Sequence, residues 1–285
     1  MSETTPALDD HSEAVGRTER RSEMIAPEKV DALAATLDLD PVTASGVTLP
    51  AGWHWMFFNP FVRRSELGTD GHPKRGGFLP DVALPRRMWA GGRLTYRHPL
   101  PIGVVATRES TILDVTSKDG RSGRLVFVTV GHRIMHDGTV CIEEQQDIVY
   151  RDAAAPGAPA PTPKPAPDDA AWSRTMEPDP VLLFRYSALT SNGHRIHYDR
   201  PYATGEEGYP ELVVHGPLIA TLLQGLAAQA YPDRTMATFA FRGMSPLFCG
   251  APFAVEARAE GDGLALWAKG PGGGLAMQAD ATFAG

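Results

Sequence analysis

The fold is decided by one stretch, residues 186–224, which reads YSALTSNGHRIHYDRPYATGEEGYPELVVHGPLIATLLQ. Four polar or titratable side chains fall within eight consecutive positions: Asn192, His194, His197 and Asp199. The tripeptide His215-Gly216-Pro217 then opens an apolar run. Titratable groups that lead into the start of a core helix are unusual in a purely structural segment. The stretch therefore predicts a functional site built on a buried helix.

The apolar run predicts a helix over residues 217–231. Pro217 suits the first helical turn, where its missing N–H costs nothing. The helix is apolar almost all round, which indicates burial on every side. Upstream, MEPDPVLLFRYSALT predicts a strand-like entry, and three or four strands are expected to close the chain. The last of these, LAMQADATFA at 275–284, alternates apolar and polar residues as a half-buried strand does.

The first half of the chain has a different texture. Residues 1–25 are polar and aperiodic and predict a mobile tail, and Pro27 begins a helical pattern, PEKVDALAATLD. Residues 66–92 are rich in Gly and Pro, and a long loop of this kind often covers a site. Residues 93–151 contain four runs rich in β-branched residues with short turns between them, which predicts an antiparallel sheet.

An Ala/Pro segment, AAAPGAPAPTPKPAPDDA, divides the chain at residues 153–170. Such a composition is typical of an extended linker. The predicted organisation is a tail at 1–25, an N-terminal domain at 26–152, the linker at 153–170 and a C-terminal domain at 171–285. Both halves contain Pro-Leu-x-x-Gly after a strand, at 99–103 and at 246–250. The repeat and the linker together indicate two similar sheets, with an apolar helix clear only in the second.

Composition excludes several functions. The net charge of −7 argues against binding to nucleic acid or to an anionic membrane surface. No apolar stretch approaches the roughly 18 residues of a membrane span, and no signal pattern is visible, so a cytoplasmic protein is expected. Cys141 and Cys249 match no metal or redox spacing and are expected to be buried apolar residues. No metal, flavin or nicotinamide cofactor is expected. A further set of histidines is expected to be surface or core residues: His11, His54, His72, His98, His132 and His136.

Residues 190–203, TSNGHRIHYDRPYA, resemble the signature of the MaoC-like (R)-specific enoyl-CoA hydratases. That signature reads Ser-Gly-Asp-x-Asn-Pro-[Ile/Leu]-His-x-Asp-x-x-Tyr-Ala, and its last seven positions match fully. His215-Gly216 also matches the family's turn into its central helix. The resemblance implies an α+β, double hot-dog fold. This means two antiparallel sheets, each of the hot-dog type, with a long central helix in the C-terminal half.

The chain is most similar to a two-hot-dog subgroup, the mesaconyl-C4-CoA (3-methylfumaryl-CoA) hydratases and the itaconyl-CoA hydratases. Three segments of the first half carry this similarity: GGFLPDVALPRRMWAGGRL, TSKDGRSGRLVFVTV and EEQQDIVYR. It implies a degenerate N-terminal domain on the substrate or CoA side and a catalytic C-terminal domain. The implied partner is an acyl-CoA thioester, without a cofactor, and a homodimer is compatible with it.

The implied reaction is hydration of a short, branched, dicarboxylic enoyl-CoA, mesaconyl-C4-CoA, to citramalyl-CoA. Three alternatives stay open. Itaconyl-CoA hydration delivers water to the same kind of carbon, and dehydration of 3-hydroxyacyl thioesters in fatty-acid synthesis is the reverse reaction on another chain. The third is a non-catalytic hot-dog module that binds acyl-CoA, which a loss of catalytic function at position 192 would favour.

Site roles follow from the resemblance and from the chemistry of hydration. Position 192 is Asn where the wider family carries a catalytic Asp, although Asn-Gly-His-Arg-Ile-His is the usual form of the similar subgroup. An amide can orient water but cannot accept its proton, so His197 is the expected base. Asp199 is expected to cap a helix start rather than to act in catalysis. Gly216 at the start of the helix is expected to receive the thioester oxygen.

Substrate contacts are predicted for three further residues. His215 either touches the substrate or caps the turn, and the two interpretations are equally weighted. A dicarboxylic acyl chain needs a cation for its free carboxylate, and Arg195 and Arg93 are the candidates. Each could equally form a structural ion pair or contact a CoA phosphate.

Overall fold

The computed structural model describes residues 11–41, 47–120, 123–152 and 162–284. Five strands and one helix form the N-terminal half: β1 Thr18–Met24, α1 Pro27–Thr36, β2 Arg86–Tyr96, β3 Val105–Gly120, β4 Gly123–His136 and β5 Thr139–Arg151. Five strands and two helices form the C-terminal half: β6 Trp172–Met176, α2 Pro180–Leu189, α3 Gly216–Ala230, β7 Met236–Gly243, β8 Phe253–Glu260, β9 Gly263–Lys269 and β10 Leu275–Phe283. The strands predicted at 93–151 and the helix predicted at 217–231 are confirmed.

The two halves share one topology. The strand order across the whole sheet is β1-β3-β4-β5-β2-β7-β10-β9-β8-β6, so each half repeats the other with its strands in corresponding places. All the strand pairs are antiparallel, as predicted. The halves meet where β2 pairs with β7, with Gly91 opposite Arg242 and Thr95 opposite Thr238. The two sheets therefore join edge to edge into one sheet of ten strands, which protects both inner edges.

The Pro-Leu-x-x-Gly repeat is a structural repeat. Gly103 and Gly250 both adopt left-handed backbone angles, with φ of +88° and +79°. The N–H of Gly103 donates to the carbonyl of Ile25 at 2.8 Å, and that of Gly250 donates to the carbonyl of Pro178 at 2.7 Å. Both acceptors lie within two residues of the end of the first strand of their half. Glycine occupies both positions because the turn requires φ above zero.

Helix α3 lies at the centre of the second half. It contacts strands from β6 to β10 and is buried through Leu218–Leu226 except at Gly225. Of the two polar residues in this span, Thr221 and Gln224, the second accepts a hydrogen bond from the hydroxyl of Tyr96 on β2. In the first half, the short bridge at Thr48 leads instead into a 3-10 turn, Trp53–Met56. Among the described residues, the first half thus has a 3-10 turn at this place, whereas the second half has the 15-residue helix α3.

The prediction of a mobile tail is wrong for the residues that are described. Thr18–Met24 form edge strand β1, which pairs with β3 along its whole length; residues 1–10 lie outside the described residues. The strand carries no apolar signal because neither face is fully buried. Cross-strand polar contacts hold it instead, such as Ser22 Oγ to Thr107 Oγ1 at 2.8 Å. A polar edge strand of this kind also discourages sheet aggregation.

The strand-like entry predicted at 176–190 is wrong as well. Residues Pro180–Leu189 form helix α2, and the Asp179 carboxylate accepts a hydrogen bond from the backbone N–H of Leu182. An Asp cap followed by Pro is a strong helix start, and it outweighs the β-branched and aromatic content of the segment.

The linker lies partly outside the described residues, which resume at residue 162. Its second part runs along the C-terminal half, where the backbone carbonyl of Lys164 accepts a hydrogen bond from the N–H of Leu275 at 2.7 Å. Ala166 N–H donates to the carbonyl of Gly273 at 2.9 Å. No helix among the described ranges has the length and apolar character to cross a membrane.

Candidate active site

The loop after α2 places Asn192. Ser191 adopts a left-handed backbone with φ of +52°, which turns the chain away from the helix axis. The side-chain amide of Asn59 donates to the carbonyl of Thr190 at 2.9 Å and ties this loop to the N-terminal half. The Oδ1 atom of Asn192 accepts from the backbone N–H of His194 at 3.0 Å. Its Nδ2 group has no hydrogen bond to another described residue and can act as a donor.

His197 is held in one tautomer. The residue ends a 3-10 turn, Arg195–His197, and its Nδ1 lies 2.7 Å from the carbonyl oxygen of Val213. A carbonyl can only accept, so Nδ1 carries the proton and Nε2 presents a lone pair. The ring is buried, and burial lowers the pKa of His197 to about 4, partly opposed by the bond to Val213. At neutral pH this ring is an uncharged base.

His215 supports the ring of His197. The two imidazoles stack with their centroids 3.7 Å apart and their planes 18° from parallel. His215 is fully buried, its Nε2 is hydrogen-bonded to Ser187 Oγ at 2.8 Å, and its side chain makes no capping bond to α3. The capping role predicted for this side chain is therefore wrong, whereas contact with the substrate stays a prediction. The stacked ring of His215 fixes the plane of the base.

Gly216 begins α3 directly beyond this stack. The first N–H groups of a helix have no partner within the helix, and the helix dipole places positive potential there. A side chain at Gly216 would meet no atom within 4 Å, so open space lies beside this backbone. An oxygen that gains negative charge could be stabilised in that space.

Asp199 and Arg195 bind each other rather than a substrate. The Asp199 carboxylate accepts from the backbone N–H of Tyr202 at 3.2 Å, which confirms its predicted capping role. Arg195 donates to the same carboxylate through Nε and Nη2, and this hydrogen bond holds the pKa of Asp199 below its usual value. Arg195 also donates to the carbonyl of Thr69 and stacks over the ring of Tyr202. Its guanidinium is therefore occupied by structural contacts.

Arg93 is also held by structural contacts, and its side chain lies on the face of the sheet opposite the core. Its neighbour Leu94 is buried, and alternation along β2 turns Arg93 outward. The guanidinium makes a two-pronged ion pair with Asp147 at 2.8 and 2.9 Å, and its Nε binds Gln145. On this outer face Arg93 has no contact with His197 or Asn192 among the described residues, so the structure does not bring Arg93 into the site.

Sequence reasoning missed His72, which was expected to be a surface or core residue. The loop at 68–72 lies against the loop at 193–195, with the N–H of Arg195 donating to the carbonyl of Asp70 at 2.9 Å. Gly71 and Gly193 approach so closely that an added Cβ on either would collide with the carbonyl oxygen of the other. The ring of His72 consequently packs 4.3 Å from that of His194. The only signal was the prediction that the long loop covers a site.

The same contact creates a group that could hold a metal. One ligand atom each from Asp70, His72 and His194 lies within 4.8 Å of the others. The Asp70 carboxylate accepts from His72 Nδ1 at 3.0 Å, and this interaction holds the pKa of Asp70 well below its usual range despite burial. Among the described residues, no other group meets this spacing.

A second polar cluster is buried in the N-terminal half. The carboxylate of Glu144 on β5 accepts from Trp55 Nε1 at 2.8 Å and from Gln146 Nε2 at 2.9 Å, and it lies 3.1 Å from His54 Nε2. Burial raises the pKa of Glu144, but the hydrogen bond and charge of His54, with smaller contributions from His132 and Gln146, outweigh it and lower this pKa to about 2. The cluster joins the 3-10 turn at Trp53–Met56 to the sheet. His54 and His132 are buried, in agreement with the prediction.

Solved structures share this fold. HtdX of Mycobacterium tuberculosis superimposes with a TM-score of 0.66 at 16% identity, over 94% of this chain and 100% of that one. A second protein of Mycobacterium tuberculosis, described as having a double hot-dog fold, gives a TM-score of 0.59 at 13% identity, over 95% and 96% of the two chains. The topology and these neighbours define a double hot-dog protein of the α+β class.

Sequence comparisons narrow the class. The family model described as "Hydroxyacyl-thioester dehydratase type 2" matches residues 52–249, which include every catalytic position discussed above. A protein of Chloroflexus aurantiacus named "Mesaconyl-C(4)-CoA hydratase" is 50% identical over 275 residues, covering 95% of this chain and 97% of that one. The chain belongs to the hydroxyacyl-thioester dehydratase type 2 family, within the MaoC-like hot-dog proteins.

Proposed function

We propose that this protein hydrates mesaconyl-C4-CoA to citramalyl-CoA. The observation that carries the proposal is the tautomer of His197, whose Nδ1–H is bound to the Val213 carbonyl and whose Nε2 has no hydrogen bond to another described residue. A neutral base buried beside the first N–H groups of a helix suits the addition of water to an enoyl thioester. The substrate is supported by the 50% identity with the Chloroflexus aurantiacus hydratase.

His197 moves the proton in this mechanism. Its Nε2 removes a proton from water while the oxygen bonds to the β-carbon, and the electrons of the double bond shift onto the thioester as an enolate. The imidazolium then returns a proton to the α-carbon, so one water molecule is added in total. The stacked ring of His215 and the Val213 carbonyl keep Nε2 aimed at the same point throughout.

Asn192 and Gly216 complete the site. The Nδ2 group of Asn192 can donate to the attacking water, because its Oδ1 is already bound by His194 N–H. The N–H groups at the start of α3 stabilise the enolate oxygen, whose charge exists only during the reaction. Retention of these parts supports a catalyst rather than a module that merely binds acyl-CoA.

A substrate panel tests the proposal. Mesaconyl-C4-CoA, itaconyl-CoA, crotonyl-CoA and a 3-hydroxyacyl-CoA are each incubated with the purified protein, and products are identified by mass. We expect a gain of one water on mesaconyl-C4-CoA with the highest kcat/KM of the panel. A preference for itaconyl-CoA, or for loss of water from the 3-hydroxyacyl-CoA, would replace the substrate assignment with that alternative.

The variant His197→Ala separates catalyst from binder. We expect it to lose turnover while its thermal melting stays close to that of the parent protein. Full activity in the variant would exclude His197 as the base.

A cytoplasmic location and a homodimer stay predictions. Size-exclusion chromatography of the purified protein tests the homodimer.

A further inference from the structure

Two loops, one from each half of the chain, bring three metal-binding side chains together. One ligand atom each from Asp70, His72 and His194 lies within 4.8 Å of the others. The rings of His72 and His194 pack with their centroids 4.3 Å apart, although the two residues are separated by 122 positions in the chain. The sequence predicts no metal because only Asp70 and His72 of this group are neighbours in the chain.

The three ligand types fit a transition metal. Two imidazole nitrogens and one carboxylate oxygen are the protein ligands of many catalytic zinc sites, in which water takes the fourth position. Mg²⁺ and Ca²⁺ prefer a set of oxygen ligands, of which this group offers one carboxylate. We propose that Asp70, His72 and His194 bind a divalent transition-metal ion, Zn²⁺ above all. The hydration derived above uses no metal, so this site goes beyond the proposed function.

The spacing of Asp70 and His72 agrees with a single bound ion. Oδ2 of Asp70 lies 3.0 Å from Nδ1 of His72. Two ligand atoms at about 2.0–2.1 Å from a tetrahedral ion are roughly 3.3 Å apart, so this pair needs to open by only a few tenths of an ångström. A carboxylate accepts, so Nδ1 carries the proton of the hydrogen bond. An ion that replaces this proton leaves the neutral ring of His72 protonated on Nε2.

His194 has no competing partner for its ring nitrogens. Neither nitrogen is hydrogen-bonded to another described residue, and the one hydrogen bond of this residue to Asn192 is made by its backbone N–H. The hydrogen bond between Asp70 and His72 explains why those two side chains lie together. It does not explain a third imidazole with unused nitrogens beside them. A neutral imidazole has one lone pair for a metal, so the third ligand is available.

Backbone contacts between the two loops hold the ligands in place. The N–H of Arg195 donates to the carbonyl of Asp70 at 2.9 Å. Gly71 and Gly193 approach so closely that a Cβ added to Gly71 would lie 1.9 Å from the carbonyl oxygen of Gly193. Both glycines directly precede a ligand in the chain. The fold thus brings the ligands together in advance, and ion binding orders little additional chain.

An ion can reach the group from solvent. The side chains of His72 and Asp70 are 20% and 32% exposed, and His194 is half-buried. The group also lies next to the base, since the ring of His194 is 5.6 Å from that of His197. A bound ion therefore joins the loop of the N-terminal half to the loop that carries the catalytic residues.

Titration with zinc alone tests the site. The purified full chain is treated with a chelator, freed of the chelator and titrated with zinc chloride in a calorimeter. We expect saturable binding of one ion per chain, and Co²⁺ in place of zinc should give the visible absorption bands of a directly coordinated ion. Zinc at about 100 times its Kd should raise Tm by about 5 °C. Absence of saturable binding below about 1 mM zinc would overturn the proposal.

Three substitutions identify the ligands: Asp70→Asn, His72→Gln and His194→Gln. Each should weaken zinc binding at least on the order of 10- to 100-fold, the loss that follows removal of even a supporting residue from a metal site. The matched control is His136→Gln, because His136 also lies beside a carboxylate, with its Nε2 3.4 Å from Asp137. This variant should bind zinc as the parent protein does. An unchanged affinity in the three ligand variants would overturn the site.

The catalytic base supplies a second control. His197→Ala should keep its affinity for zinc, because His197 is not among the ligands. Loss of binding in His197→Ala, with an unchanged affinity in His72→Gln, would place the ion on the base and overturn the site. Melting temperatures without metal show which variants fold, and the cobalt spectrum of the parent protein requires no variant.

The zinc experiments are independent of turnover. A protein that binds zinc through these residues but does not hydrate mesaconyl-C4-CoA would contradict the proposed reaction and keep the metal site. A protein that hydrates mesaconyl-C4-CoA but does not bind zinc would contradict the metal site and keep the reaction.

Discussion

The pH dependence of turnover tests His197 as the base. Burial lowers its pKa to about 4, against the bond to the Val213 carbonyl, whereas an exposed imidazole titrates near 6.5. Only the neutral ring can remove a proton from water, so kcat/KM falls as the pH falls through the pKa of the folded enzyme. The midpoint of the acid limb therefore reports the environment of this ring.

A buried and an exposed imidazole predict very different values of kcat/KM in mild acid. At pH 5.5 a base with a pKa of about 4 is about 97% unprotonated, whereas a base at about 6.5 is about 9% unprotonated. We expect kcat/KM for mesaconyl-C4-CoA to stay nearly constant from pH 8 to about 5 and to reach half its maximum near pH 4. The assay follows the loss of enoyl-thioester absorbance in a mixed buffer of constant ionic strength.

The free energy of unfolding changes over the same pH range and must be measured together with turnover. Because the pKa of His197 is lower in the folded than in the unfolded chain, the unfolded chain binds more protons below pH 6.5. This contribution to stability is complete above pH 6.5 and is lost as the pH falls to about 4, by about 3 kcal/mol for this residue. Circular dichroism at each pH identifies the range in which the protein is folded. A midpoint near pH 6.5 within that range would refute the base assignment.

Three substitutions test the supporting contacts. Asn192→Ala should lower kcat on the order of 10²-fold if its amide orders the water, and an unchanged kcat in a kinetic assay would remove that role. Ser187→Ala leaves the buried Nε2 of His215 unpaired and should lower the free energy of unfolding by about 1–3 kcal/mol in urea titrations; no loss would show that this bond is dispensable. Glu144→Ala leaves two buried partners, His54 and Trp55, and the partly buried amide of Gln146 without the carboxylate and should cost about 3–5 kcal/mol, whereas Glu143→Ala, at an exposed ion pair on the same strand, should stay within about 1 kcal/mol. Equal losses from the two would contradict the role of the Glu144 cluster.

The local pattern of the sequence determined much of this fold. The alternation of residues in β10 and the all-round apolar character of α3 are local properties, and each is confirmed. The Pro-Leu-x-x-Gly turns are also local, because a left-handed glycine needs no distant partner. The polar cluster from Asn192 to Asp199 could be located for the same reason, since its members are neighbours in the chain. Asp199 as a cap follows from this local chemistry too.

Local sequence patterns did not predict the elements that are held by strand pairing rather than by burial of apolar side chains. Strand β1 has no apolar face, and only its hydrogen bonds to β3 make it a strand. The two halves join through β2 and β7, which is also a pairing between strands far apart in the sequence. The loops next to these two strands are unrelated. Neither pairing can be recognised from the sequence of its own strands, because the strands pair through backbone N–H and C=O groups that nearly every residue has.

The site was likewise only partly visible in the sequence. Residue types supplied His197 and Asn192, but the tautomer of His197 depends on the carbonyl of Val213, sixteen residues away. The loop of His72 reaches His194 across 122 positions of the chain. Whether two groups form an ion pair, exchange a proton or bind the same ligand depends on distances of a few ångströms in the folded chain. Those distances are decided by tertiary packing, whereas sequence spacing decides only which chemistry is available.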